Sequence, residues 1–213
     1  MDTPVTVNLL GPVEIRRAGQ LVRTGGGRMT VVLAALALSV GRPVGTSALI
    51  EAVWDSHLPQ SAAGSLQNHV LRLRRVLGAD AIRTTPTGYL LDLEPDQVDL
   101  WRFRRLAGEA AAVAARDPRA ARALLVEALA LWRGEPLDGL ASEELRRDAV
   151  PALVEERLAA LDRRIELDFA AGRHADTIVE LRATVAKHPL RETSWWHLIA
   201  ALAAAYGGWR RRL

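Results

Sequence analysis

The chain predicts an α+β N-terminal part followed by an all-α remainder, and three observations carry that expectation. Residues 5–24 alternate apolar and polar side chains in short runs punctuated by glycine and proline, the period of strands. Three helical patterns and a second pair of short strands then occupy the chain to about residue 93. From Asp99 onward every periodic segment has helical spacing, and the turns between segments are short. At 213 residues there is room for one large domain or two small ones, with a sizeable core.

The elements follow in order. Residues 5–10 and 13–17 alternate around Gly11-Pro12, the turn Ala18-Gly19-Gln20 comes next, and residues 21–24 add a short third strand. Gly25-Gly26-Gly27 breaks the pattern. It lacks the Gly-Lys-Ser/Thr ending of a phosphate loop, so it reads as a strand-to-helix turn. Residues 28–40 place Met29, Val32, Leu33, Leu36 and Val40 at helical spacing, and Gly41-Arg42-Pro43 stops them. Thr46 or Ser47 caps a second helix with Leu49, Ile50, Val53 and Trp54 on its inner face. Pro59 and Ser61 introduce a third, whose body is residues 65–78, SLQNHVLRLRRVLG. Residues 81–84 and 88–93 then read as two strands joined by Thr85-Pro86-Thr87-Gly88.

Beyond Asp99, itself a candidate cap, five helices are expected. They span about 99–116, then a segment opened by Asp117-Pro118, then 145–171, 174–188 and 191–206. Pro151 lies inside the third of these. The long helix should face inward through Val154, Leu158, Leu161, Ile165 and Phe169. Intervals of about 34 residues suggest stacked helical hairpins of the tetratricopeptide kind. In such a stack one of Trp195 and Trp196 packs between repeats and the other is partly exposed.

Composition narrows the chemistry. The absence of cysteine excludes disulfides, thiolate metal sites and cysteine nucleophiles. The five histidines, His57, His69, His174, His188 and His197, show no metal-ligand spacing, and His69 at the edge of an apolar stripe reads as packing. No Ser–His–Asp pattern, paired catalytic acids or nucleotide fingerprint stands out. A non-enzyme without cofactor or metal is therefore expected. The start resembles no signal peptide, and the longest apolar run, 31–38, is too short to span a bilayer, so a cytoplasmic protein without membrane association is expected. Net charge is only +3, with 9 arginines against 8 acids up to Val98 and 19 basic residues against 17 acids after it. Any nucleic-acid footprint must then be local. Basic residues cluster at 72–75, and again at the extreme C-terminus, 210–212, where a frayed tail is the simpler reading.

The segment 65–78 supplies the local footprint. Each helical residue advances about 100°, so Leu66, Val70, Leu73 and Leu77 form one stripe. Asn68, Arg72 and Arg75 project opposite, with Arg74 on the flank. A helix that buries one side and offers arginines and an amide on the other suits a DNA major groove, although solvated surface helices share the pattern. Its context favours DNA. Three helices followed by a β-hairpin, with strands in front, is the order of a winged helix-turn-helix domain.

Specific segments carry a resemblance. LQNHVLRLRRVLG resembles the third helix of OmpR/PhoB-type winged helices, and TTPTGYLLDL resembles their wing, including Gly88-Tyr89. LLGPVEI, ALALWRGEPL, LVEERLAAL and AAGRHADTIVELRATVAKHPLRE together resemble the Streptomyces antibiotic regulatory protein (SARP) family. That family joins a winged helix to a helical bacterial transcriptional activation domain. The resemblance runs from about Val5 to about Leu202. It implies a winged-helix DNA-binding domain over 1–96 and a tetratricopeptide-like activation domain over 97–213. It also implies an activator of a secondary-metabolite gene cluster that binds direct repeats in double-stranded promoter DNA as a homodimer and recruits RNA polymerase holoenzyme.

The family's Arg-x-Arg unit falls on Arg72 and Arg74, and Asn68 also faces DNA in that pattern. Helical geometry and family pattern agree on Arg72, which is expected to reach bases or phosphates near the groove centre. Arg74 and Arg75 would hold phosphates, unless Arg74 instead pairs with an acid of the second helix such as Glu51. Asn68 either pairs with adenine or is solvated. Many relatives carry an arginine before the wing's turn where this chain has Thr85, and Arg83 lies two residues earlier. After Leu202 relatives usually continue through another helical hairpin, so a shortened activation domain is expected. No phosphoacceptor domain precedes the strands, so direct phosphorelay control is not. The competing reading is a helical interaction scaffold, or a truncated relative that binds DNA without activating.

Overall fold

The computed structural model describes residues 5–22, 26–54 and 59–207. The end of the expected third strand at 23–24, Gly25, His57 and the basic cluster at 210–212 lie outside the described residues. No helix among the described residues is long and apolar enough to cross a membrane. The chain forms two compact units, one of residues Met1–Arg105 and Ala130–Glu155, the other of Leu106–Leu129 and Glu156–Leu213.

The first unit opens with β1 (Val5–Asn8), β2 (Glu14–Arg17) and β3 (Gln20–Val22), an antiparallel sheet in sequence order with Val7 opposite Ile15 and Ile15 opposite Val22. Strand alternation buries Val5, Val7 and Ile15. Helix α1 (Gly27–Ala37) buries the continuous run from Val31 to Ala37, a wider apolar face than the five spaced positions suggest. Then come β4 (Val44–Gly45), α2 (Thr46–Trp54) and α3 (Ala62–Leu77). A single 3-10 turn at Ala79–Ala81 leads into β5 (Ile82–Thr84) and β6 (Gly88–Leu91). Thus the winged helix-turn-helix order is present, and its wing is a three-stranded sheet, β4-β6-β5.

The third wing strand, β4, went unanticipated, and glycine explains it. A Cβ on Gly88 would stand 2.0 Å from the Val44 carbonyl oxygen, so only glycine allows β4 to pair there. Thr46 does not use its side chain as a helix cap. Its N–H donates to the Thr87 carbonyl at 3.0 Å, tying the start of α2 to the wing's turn.

Helix α4 (Asp99–Val113) begins at Asp99, but the carboxylate turns elsewhere. It accepts the Leu9 N–H at 2.7 Å and the Leu10 N–H at 3.0 Å, while the Val98 carbonyl receives the N–H groups of Trp101 and Arg102. Asp99 is thus a clasp on the segment after β1. Burial pushes its carboxyl above the usual range, against the opposing pull of the two N–H donors and Arg133. The same segment continues outward: the N–H groups of Arg133, Leu137 and Asp138 donate to the carbonyls of Leu10, Leu9 and Gly11 at 2.7, 2.9 and 3.2 Å. Phe103 meets Trp132 edge-on, with ring centroids 5.3 Å apart.

The second unit is helical. It draws on α5 (Pro118–Ala130), the later part of α6 (Glu143–Ala170), α7 (His174–Lys187) and α8 (Glu192–Gly207). Asp117 caps α5 as expected, its carboxylate accepting the Ala120 N–H at 2.9 Å. The core takes Leu125, Leu158, Leu161, Ile165, Leu181, Val185, Leu198 and Ala201. Val154 and Phe169 are half-buried, and Phe169 stacks on the His174 ring at 4.6 Å. At its centre the buried Asp168 carboxylate receives Arg122, Arg164 and Arg173 at 2.5, 2.8 and 2.9 Å. Burial alone would raise this carboxyl's pKa, but the arginines hold it below the usual range. The tryptophan expectation is corrected. Helical spacing turns Ser194, His197, Leu198 and Ala201 inward, leaving Trp195 at 45% and Trp196 at 65% exposure.

Candidate nucleic-acid interface

The interface candidate is built on α3, which starts at Ala62, three residues before the expected segment. Ala62, Leu66, Val70, Leu73 and Leu77 are buried, the stripe read from the sequence with one residue added. The helix stops at Gly78, whose φ of 121° favours glycine and whose N–H returns to the Arg74 carbonyl at 2.9 Å. Arg17 donates to the nearby Val76 carbonyl at 2.5 Å, bracing the helix end from β2.

Opposite the stripe, Asn68, Arg72 and Arg75 are all exposed. None of the three makes a hydrogen bond or ion pair among the described residues. Gly64 shares this face, and a Cβ there would meet nothing within 4 Å. The fold's own packing therefore does not require a glycine that costs about 0.5–1 kcal/mol in a helix.

Arg74 behaves differently. Its Nε donates to the Ile82 carbonyl at 2.8 Å, and a terminal nitrogen donates to the Thr84 hydroxyl at 2.9 Å. Its protein partner is therefore β5 of the wing rather than an acid of α2 such as Glu51, the alternative to a phosphate contact. The remaining two wing residues are also engaged. Arg83 forms a two-pronged pair with Asp92, at 2.9 and 3.1 Å. Thr85 closes the turn: its N–H donates to the Gly88 carbonyl at 2.8 Å, and its hydroxyl accepts the Gly88 N–H at 3.1 Å. Pro86 and Thr87 are the exposed residues of that turn.

His69 lies at the boundary of the two faces, half-buried, its ring 6.2 Å from that of Trp54. Arg28 sits over the same tryptophan at 5.8 Å. Burial first, then the charges of Arg72 and Arg28, lower the imidazole's pKa. Sequence reasoning passed over two features here: Leu71, exposed within the arginine face, and Thr84, which anchors Arg74. Helical spacing alone could have found the first.

A winged helix followed by a helical unit, with a cationic face turned outward on the third helix, defines a two-part transcriptional regulator. The family comparisons agree with that class. The bacterial transcriptional activator domain family matches residues 98–207, and the transcriptional regulatory protein C-terminal family matches residues 25–91. The chain is 36% identical to the regulatory protein DnrI of Streptomyces peucetius, over 92% of this chain and 76% of DnrI. It is also 36% identical to the transcriptional regulatory protein EmbR of Mycobacterium tuberculosis, over 95% of this chain and 56% of EmbR. A solved structure of M. tuberculosis EmbR in complex with a low affinity phosphopeptide superposes with a TM-score of 0.89 at 33% identity, covering 95% of this chain and 55% of that one. The chain belongs to the SARP family of transcriptional regulators. It spans about half the length of EmbR.

Proposed function

We propose that this chain is a sequence-specific DNA-binding transcriptional activator of a secondary-metabolite gene cluster, working in the cytoplasm. The observation that carries the reading is the outward face of α3, where Asn68, Arg72 and Arg75 have no partner among the described residues. A guanidinium kept solvated opposite a buried stripe is available to guanine O6 and N7 or to phosphate. Arg72 reads bases near the groove centre, Asn68 pairs with adenine, and Arg75 holds a phosphate. Arg74 is a positioning residue that fixes the wing to α3, with Arg83 and Thr85 shaping the wing's base and turn. All these elements precede residue 97, so the functional division falls there, with DNA binding in 1–96 and activation in 97–213. Two protomers occupy direct repeats in double-stranded promoter DNA, and the helical part engages RNA polymerase holoenzyme. The protein needs no cofactor or metal for this and performs no catalysis.

The test is enrichment of genomic DNA on the purified chain, followed by gel shifts across a salt series and a reporter. A defined repeat bound with strong salt dependence and raised transcription is the expected result. Enrichment of no sequence at low salt would leave the scaffold reading, which the exposed Trp195, Trp196 and Ile199 of α8 favour. Binding without a reporter response would mean a family member that occupies DNA but does not activate.

A further inference from the structure

Leu71 departs from the pattern of its own helix. Five apolar residues of α3 already fill the buried side, yet this leucine projects from the other at 47% exposure. Around the axis it stands about 60° from Asn68, about 40° from Arg75 and about 20° from Gly64, well inside the outward face. A lone exposed leucine is ordinary on a protein surface. Its neighbours set this one apart, because Asn68, Arg72 and Arg75 line one side of it and have no hydrogen-bond or ion-pair partner among the described residues.

We propose that Leu71 reads the C5-methyl group of a thymine in the major groove. Of the four bases only thymine presents a methyl there, and an apolar side chain among polar ones is the matching surface. This assignment rests on the DNA-binding reading above and adds a specificity-determining residue to it. Because Leu71 and Arg72 are adjacent, the thymine must lie within a base pair or two of the base that Arg72 contacts.

The experiment uses the full chain and the DNA sequence it enriches, with each thymine replaced singly by deoxyuridine. The wild-type chain should lose about threefold to tenfold in affinity at one thymine of each bound repeat, the range for one buried methyl. Leu71→Ala, an exposed substitution that favours helix, should bind the thymine and uracil duplexes equally at that position, with its far-UV circular dichroism unchanged. Wild-type indifference to every replacement, or discrimination retained by Leu71→Ala, would overturn the assignment and leave DNA binding standing. Enrichment of no sequence would overturn both.

Discussion

The outer face of α3 and the wing share one compact unit, and they commit their polar side chains in opposite directions. On the helix, Asn68, Arg72 and Arg75 turn away from the protein and pair with none of the described residues. On the wing, Arg83 is held by Asp92, Thr85 closes its own turn, and Thr84 receives Arg74 from the helix. Arg74 spends two of its five N–H donors on β5, one of them on a backbone carbonyl, whereas Arg72 and Arg75 spend none on the described residues. The arginines of α3 therefore divide into two turned outward and one bonded to the wing, although a single four-residue run contains them all.

Five substitutions, the last read across a pH titration, can break or sharpen that contrast. Arg72→Ala should cost the most, more than about tenfold in the gel-shift midpoint, as expected for loss of a bidentate base contact. An unchanged midpoint would remove Arg72 from the interface. Arg74→Met should weaken binding by about threefold to tenfold while the slope of log affinity against log salt stays put, because no phosphate contact is lost. If that slope drops, Arg74 touches DNA directly and the brace assignment fails. Arg75→Ala should lower affinity by a few-fold on every sequence alike and flatten the salt slope by about 0.9. Arg83→Ala removes an exposed ion pair worth about 1 kcal/mol or less, and should change affinity by less than about fivefold. The smallest effect concerns the unliganded fold. Because the folded His69 ring has a lowered pKa, stability is full above the unfolded value near 6.5 and falls as pH drops through the folded one. Thermal melts of His69→Gln should lack that component of the pH dependence.

How much of this was legible beforehand depended on the distance over which each feature is decided. The stripe of α3 and the order of helices and hairpin are local, because periodicity within some fifteen residues determines them. The Gly88-Tyr89 pair was visible as a motif, but its reason was not: Gly88 makes room for a two-residue strand more than forty positions earlier. The arginines of α3 could be placed on a face from spacing alone. Which of them was already occupied depended on the height of the Ile82 carbonyl and the Thr84 hydroxyl beside the helix. Asp99 has the composition of a cap and the position of one, yet its carboxylate serves backbone ninety residues away. The tryptophans misled for a simpler reason. Adjacent residues on a helix point about 100° apart, and the inward line ran through Ser194 and His197 instead.

The clasp on the segment after β1 bears on how the protein is made. Leu9, Leu10 and Gly11 leave the ribosome well before their partners, Asp99, Arg133, Leu137 and Asp138. Until about residue 138 has emerged, those early amides and carbonyls must find water or another chain. Closing so long a loop costs conformational entropy before any of these bonds can repay it. The segment that follows β1 therefore gains its last backbone partners only after the whole of α5 has been made.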